Sequence, residues 1–240
     1  GGILLMGKYL NKEQIFDAED GEDLYANEEQ LFARLEFFEK QLAEQTAETA
    51  VEDRINTLLE IARIQVERYK GADAWEKAMM AFDLAKDNEL WEQATEACDA
   101  MFLSEGPDAL KALGHALWLG ITFPIDPEIT VAMLQHLVEE SPKGADTKAY
   151  AAAVAHYIVS IRRGADDDLT FFASQMIASV ADEHSHVTDQ STFDLWRRTL
   201  QLDKPEVFLP KLSSAVDQLV GDTWWVDRDA IRAKLDAEGK

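Results

Sequence analysis

The chain has 240 residues, 47% of them apolar, enough to bury a core without disulfides or metals. Its 46 acidic residues against 23 Lys and Arg give a formal charge of -23, a field that repels phosphate backbones and anionic headgroups and so argues against nucleic acid and membrane surfaces as partners. The single cysteine, Cys98, excludes an internal disulfide or thiolate cluster and fits a reducing cytoplasm.

The apolar opening Gly1 to Met6 is shorter than a signal-peptide core and lacks a basic flank, so it is not read as a targeting sequence. Between residues 11 and 60 the sequence carries 15 acidic residues against Lys12, Arg34, Lys40 and Arg54. Residues 1–26 hold too little apolar content to offset the entropy of ordering and are expected to form an acidic, partly disordered arm. Residues 27–240 are expected to form a single all-helical domain, with a point of subdivision near 104–107 where Gly106-Pro107 interrupts the pattern.

Asn27 is a candidate cap for a helix with Leu31, Leu35, Phe38 and Leu42 on one stripe. A second stripe runs through Ile55, Leu58, Leu59, Ala62, Val66 and Tyr69, with Gly71 as the expected left-handed residue after the helix. Trp75 to Asp83 is echoed sixteen residues later by Trp91 to Asp99, with five of nine positions identical, and Asp73 and Asn88 are candidate caps for the two copies. Such a pair reads as a helical hairpin, the unit of solenoids.

Ala109 to Phe123 predicts a buried helix with Leu110, Leu113, Leu117 and Ile121 on one face, and Asp126-Pro127 supplies a cap and a first-turn proline for the next. Ala149 to Arg163 is Ala-rich and ends at Gly164, and Leu169 to Asp182 predicts another helix followed by a polar loop through His184, Ser185 and His186. Phe193, Trp196, Leu200 and Leu202 mark a further helix. Pro205 and Pro210 predict a short turn before a helix from about Lys211 to Val220, and Trp224-Trp225 precede a last helix from Asp227 to Ala237. The fold class is therefore all-α, an array of roughly ten short helices in hairpins. No period of 34 is kept, so the array is a degenerate, tetratricopeptide-like solenoid or an irregular bundle.

Motifs for chemistry are missing: no Gly-x-Ser-x-Gly elbow, no P-loop and no Gly-x-Gly-x-x-Gly occurs, so neither a catalytic residue nor a cofactor is assigned. Glu183 and His186 have the Glu-x-x-His spacing of di-iron bundles, and a metal-binding protein or enzyme built on that end is the alternative function. His115, His136 and His156 read as helix residues at a core edge. Trp224 and Trp225 cannot both face one narrow helical stripe, which makes them the candidate partner-binding residues as well as candidates for packing.

The acidic, all-helical chain running from Met6 to a Trp224-Trp225 pair near its end resembles the nitrogenase-associated accessory factors of the factor T type. The resemblance is one of general character, and it carries no functional residue across. It implies a cytoplasmic, non-catalytic protein that docks on the molybdenum-iron (MoFe) component of nitrogenase, in assembly, protection or stabilisation of a cofactor-deficient form. With or without it, the expected function is an accessory factor that binds a larger protein.

Overall fold

Apolar side chains at helical spacing set the secondary structure. The computed structural model describes residues 21–239, and side chains from Asn27 onward; among these residues it contains helices and turns only. The helices are α1 (Gly21–Glu44), α2 (Val51–Glu67), α3 (Gly71–Asp87), α4 (Trp91–Leu103), α5 (Ala109–Thr122), α6 (Pro127–Glu140), α7 (Asp146–Arg163), α8 (Asp168–Ser185), α9 (Gln190–Thr199), α10 (Pro205–Val220) and α11 (Arg228–Ala237). None of these helices is long and apolar enough to cross a membrane.

From α1 to α8 each helix packs against the next, a run of hairpins, and α2 also touches α4 as α4 touches α6. Helix α10 turns back onto α5 and α7. Burial follows the expected stripes closely in α2, where Ile55, Leu58, Leu59 and Ala62 are buried. One hydrophobic cluster then continues through the turn at Ser104 to Pro107 and on to Val226, and a smaller one of Leu35, Ile61 and Ile64 holds α1 on α2.

Two glycines mark where backbones approach. A Cβ on Gly114 would lie 2.5 Å from Val220 Cγ2, so α5 and α10 meet closely there, and one on Gly71 would lie 2.5 Å from the carbonyl oxygen of Ser104. Small side chains do the same in α7, where Ala149, Ala151, Ala152, Ala153 and Ala155 are all buried.

Several boundaries differ from expectation. Residues 1–20 of the anticipated acidic arm lie outside the described residues, while residues 21–26 belong to α1, so Asn27 is inside a helix rather than capping it. Asp73 lies in the first turn of α3, and Asn88 closes α3 by donating from Nδ2 to the carbonyl of Leu84 at 2.8 Å instead of opening α4. The left-handed residue after α2 is Tyr69, at φ 59, with Lys70 N–H donating to the Gln65 carbonyl in a Schellman closure; Gly71 opens α3. Trp75 stands one turn into α3 but Trp91 is the first residue of α4, so the sixteen-residue echo does not mark equivalent positions. Leu110 is exposed, one and two turns before the buried Leu113 and Leu117. Pro210 sits inside α10, which starts already at Pro205, because Phe208, Leu212, Val216 and Val220 pin one face of that helix into the core.

Asp126 matches its expected role as a cap, while Asp227, expected as the first residue of the last helix, instead caps it from outside. Asp126 accepts from Glu128 N–H at 2.9 Å ahead of Pro127, and Asp227 accepts from Ala230 N–H at 3.0 Å to open α11.

Candidate functional site

Helices α7 and α8 form a tight hairpin, but α9 makes few contacts with α8, and α10 leaves in another direction to pack on α5 and α7. A groove of about 840 Å³ opens between these elements. Helix α7 presents Ala153, His156, Tyr157 and Ser160 to it, spacings of three and four that place them on one face. Across from them α8 contributes Ser174, Ile177, Ala178 and Asp182. Small side chains at 153, 160, 174 and 178 keep the volume open, while Phe193 of α9 and Phe208 of α10 give it apolar walls. The Phe208 ring meets Tyr157 edge-on at 5.7 Å.

The groove is electrically mixed. Asp182, Asp189 and Asp203 line it together with His156 and Arg197. Asp189 caps α9: hydrogen bonds from the side chain and N–H of Thr192 and from Ser191 pull its carboxyl down to about 2, so it stays ionised. Burial lowers the pKa of His156, and the nearby Arg197 guanidinium lowers it further.

Trp224 and Trp225 lie elsewhere, in the segment between α10 and α11, and both are half-buried. Trp225 stacks on His115 with ring centroids 4.3 Å apart, and its edge contacts include Trp75 and Phe82. Its N–H donates to His115 Nε2 at 2.9 Å, and its carbonyl accepts from Lys86 Nζ at 3.2 Å. His115 Nδ1 bonds to the carbonyl of Lys111 at 2.9 Å, which requires Nδ1–H and leaves Nε2 as the acceptor: a neutral imidazole. Burial, reinforced by Lys111, Arg228 and Lys86, brings its pKa down to about 4. Trp224 packs on Trp118 and His115, and Arg228 covers its ring at 3.7 Å. Much of the tryptophan pair's surface is thus engaged within the chain.

Glu183 and His186 do not share a helical face. His186 has left α8 and adopts the left-handed conformation at φ 53, while Glu183 pairs with Lys148 Nζ at 3.2 Å. Lys148 also donates to the Val138 carbonyl at 2.7 Å, joining α6, α7 and α8. Among the described residues no group of three or more His, Cys, Asp or Glu is placed to hold a metal ion. His184, one residue on from Glu183, has polar partners instead: its Nε2 lies 2.8 Å from Asp146 and its Nδ1 faces Trp196 Nε1–H at 3.3 Å. These bonds tie the start of α7, the end of α8 and α9 together.

Two polar networks carry no sequence motif. Asp99, 2% exposed, bonds to Arg63 and, at 3.1 Å, to His136 Nε2, so that α2, α4 and α6 meet on one carboxylate. His136 also borders a smaller cavity of about 310 Å³ with Phe102, Glu139 and Glu140. Arg162 reaches from α7 to the end of α5, donating to the carbonyls of Gly120 and Phe123, both at 3.0 Å, and of Ile125 at 3.2 Å. Both His115 and His136 are therefore deeper than the core edge expected for them. The chain matches no protein-family model, no curated protein and no solved structure.

Proposed function

We propose that this chain is a non-catalytic, cytoplasmic accessory factor that holds a segment of a larger protein in the groove between α7, α8, α9 and α10. One observation carries the reading: four helices converge on about 840 Å³ lined by a mixture of small, aromatic and charged side chains. That volume lies at the upper end of ordinary ligand pockets, and its mixed lining suits an amphipathic segment. The strong acidity of the chain would favour encounter with a basic surface around that segment.

The general resemblance to nitrogenase-associated factors names the first partner to test, the MoFe protein in a cofactor-deficient form, with assembly, protection or stabilisation as the outcome of binding. Purified chain and MoFe protein, cofactor-deficient and loaded, are to be compared by sedimentation and calorimetry. Preferential binding of the deficient form, lost in Ala178→Trp, is expected, since Ala178 is exposed on the groove face and an indole there would fill it without touching the core. No binding to either form would remove that partner, and full binding by Ala178→Trp would move the docking surface away from the groove.

A further inference from the structure

Acids outnumber cations in this chain, and among the described residues several arginines are held by partners within the fold. Arg34, Arg63, Arg163 and Arg228 each meet a carboxylate. Arg162 is spread over backbone carbonyls. Arg197 is one of several without a partner: among the described residues its exposed side chain, like those of Arg232, Lys70, Lys143, Lys204 and Lys211, has no hydrogen bond or ion pair. It alone of these lines the groove, where the imidazole of His156 has no such partner either. Yet both face the same groove, in a chain where acids outnumber bases two to one.

We propose that His156 and Arg197 anchor one carboxylate side chain, Asp or Glu, of the partner segment that occupies this groove. The proposal rests on the groove reading above and adds the chemistry of its occupant. Tyr157, Phe193 and Phe208 line the same groove as the two basic groups, so apolar side chains suit the rest of its occupant. Along α8 the lining runs from Ser174 to Asp182, about 12 Å at 1.5 Å per residue, which suits a chain passing through for about two turns. A side-chain carboxylate, not a chain terminus, is then the group presented.

The electrostatics around His156 support the geometry. The titratable and charged groups that line the groove with it are Tyr157 on its own helix, Asp182 of α8, Asp189 before α9, Arg197 of α9 and Asp203 ahead of α10, and α10 itself adds Pro205 and Phe208. The three aspartates lie beyond ion-pair distance of Arg197, and Asp189 is occupied by Thr192 and Ser191. Burial and Arg197 both disfavour a proton on the free imidazole. The negative charge of an incoming carboxylate opposes both effects, so binding takes up a proton at His156 and strengthens as pH falls through the bound imidazole's titration.

The test titrates the isotope-labelled full chain with hydrocinnamate and with its neutral amide, following the His156 imidazole signals by NMR. The acid should shift those signals and raise the His156 titration midpoint. The amide and the Arg197→Met variant should each bind about tenfold more weakly than acid and parent chain, the cost of one charge-assisted contact. Equal binding of acid and amide, or an unaffected Arg197→Met, would overturn the anchor and leave the groove standing. No perturbation by either compound would also overturn it, while partner binding by Ala178→Trp judges the groove separately. Finally, an amphipathic helical peptide with an internal Glu and an amidated end should outcompete its Gln counterpart with a free carboxyl end. The reverse order would overturn the side-chain assignment.

Discussion

Asp99 shows how a buried charge is kept in this core. Burial alone would raise its carboxyl, but Arg63 and His136 more than reverse that and hold it well below the usual carboxylate range. Replacing it, as in Asp99→Asn, leaves Arg63 and His136 facing a neutral amide, and is expected to cost about 2 to 4 kcal/mol in urea unfolding. The sign of the pH effect follows from the lowered pKa. Its stabilisation is complete above the unfolded value near 4 and fades as pH drops below that, so the variant should lose less stability than the parent in that range. His115 acts in a separate window. Its folded pKa, about 4, lies below its ordinary 6.5, so the unfolded chain takes up a proton first and stability falls as pH drops between those values. His115→Gln, whose amide oxygen can still accept from Trp225 N–H, should flatten that part of the curve. A denaturation series at closely spaced pH values separates the two carriers.

Single helices carry the next set of expectations. Gly114 allows α5 and α10 to touch, and a methyl group there would press on Val220, a stiff β-branched neighbour. Gly114→Ala should therefore cost about 1 to 3 kcal/mol, despite the better helix propensity of alanine, and lower the thermal midpoint accordingly. The opposite sign is expected at the end of α2. Tyr69 holds a left-handed conformation while 93% exposed, so Tyr69→Gly gives up little packing and relieves strain. Its net gain should be about 0.5 kcal/mol after the greater freedom of glycine in the unfolded chain is counted. Helix existence was legible because apolar stripes such as Ile55 to Ala62 and caps such as Asp126-Pro127 act locally. Boundaries failed where tertiary packing outweighed local preference: Pro210 lies within α10 because Phe208 and Leu212 on either side are buried, and Tyr69 took the position expected of Gly71. The groove was not legible. It arises from small side chains on α7 and α8 and from the departure of α9 and α10, and open space leaves no motif. Neither residue of the proposed anchor stood out: His156 looked like a core-edge histidine, and Arg197 sits in an ordinary basic last turn of α9.

At the level of the whole chain, a charge of -23 is distributed over a fold held mainly by one continuous apolar cluster. Mutual repulsion among those carboxylates works against the compact state, and added salt screens it over a Debye length of about 10 Å at 0.1 M. The thermal midpoint is thus expected to rise with sodium chloride from low to moderate concentration. A midpoint that stays flat would show that the paired carboxylates, such as Asp126 with Arg163 and Asp217 with Arg228, already neutralise the field locally. The tryptophan segment adds a constraint of a different kind. Trp225 N–H reaches His115 across 110 positions of sequence, and Lys86 reaches the Trp225 carbonyl across 139. During synthesis, hairpins from α1 to α8 can pair as each emerges, whereas His115 waits without a donor until residues near 225 have cleared the ribosome. The seam over α3 and α5 is therefore closed only by residues 224 and 225, and a ribosome stalled before residue 224 would display a nascent chain in which that aromatic seam is open.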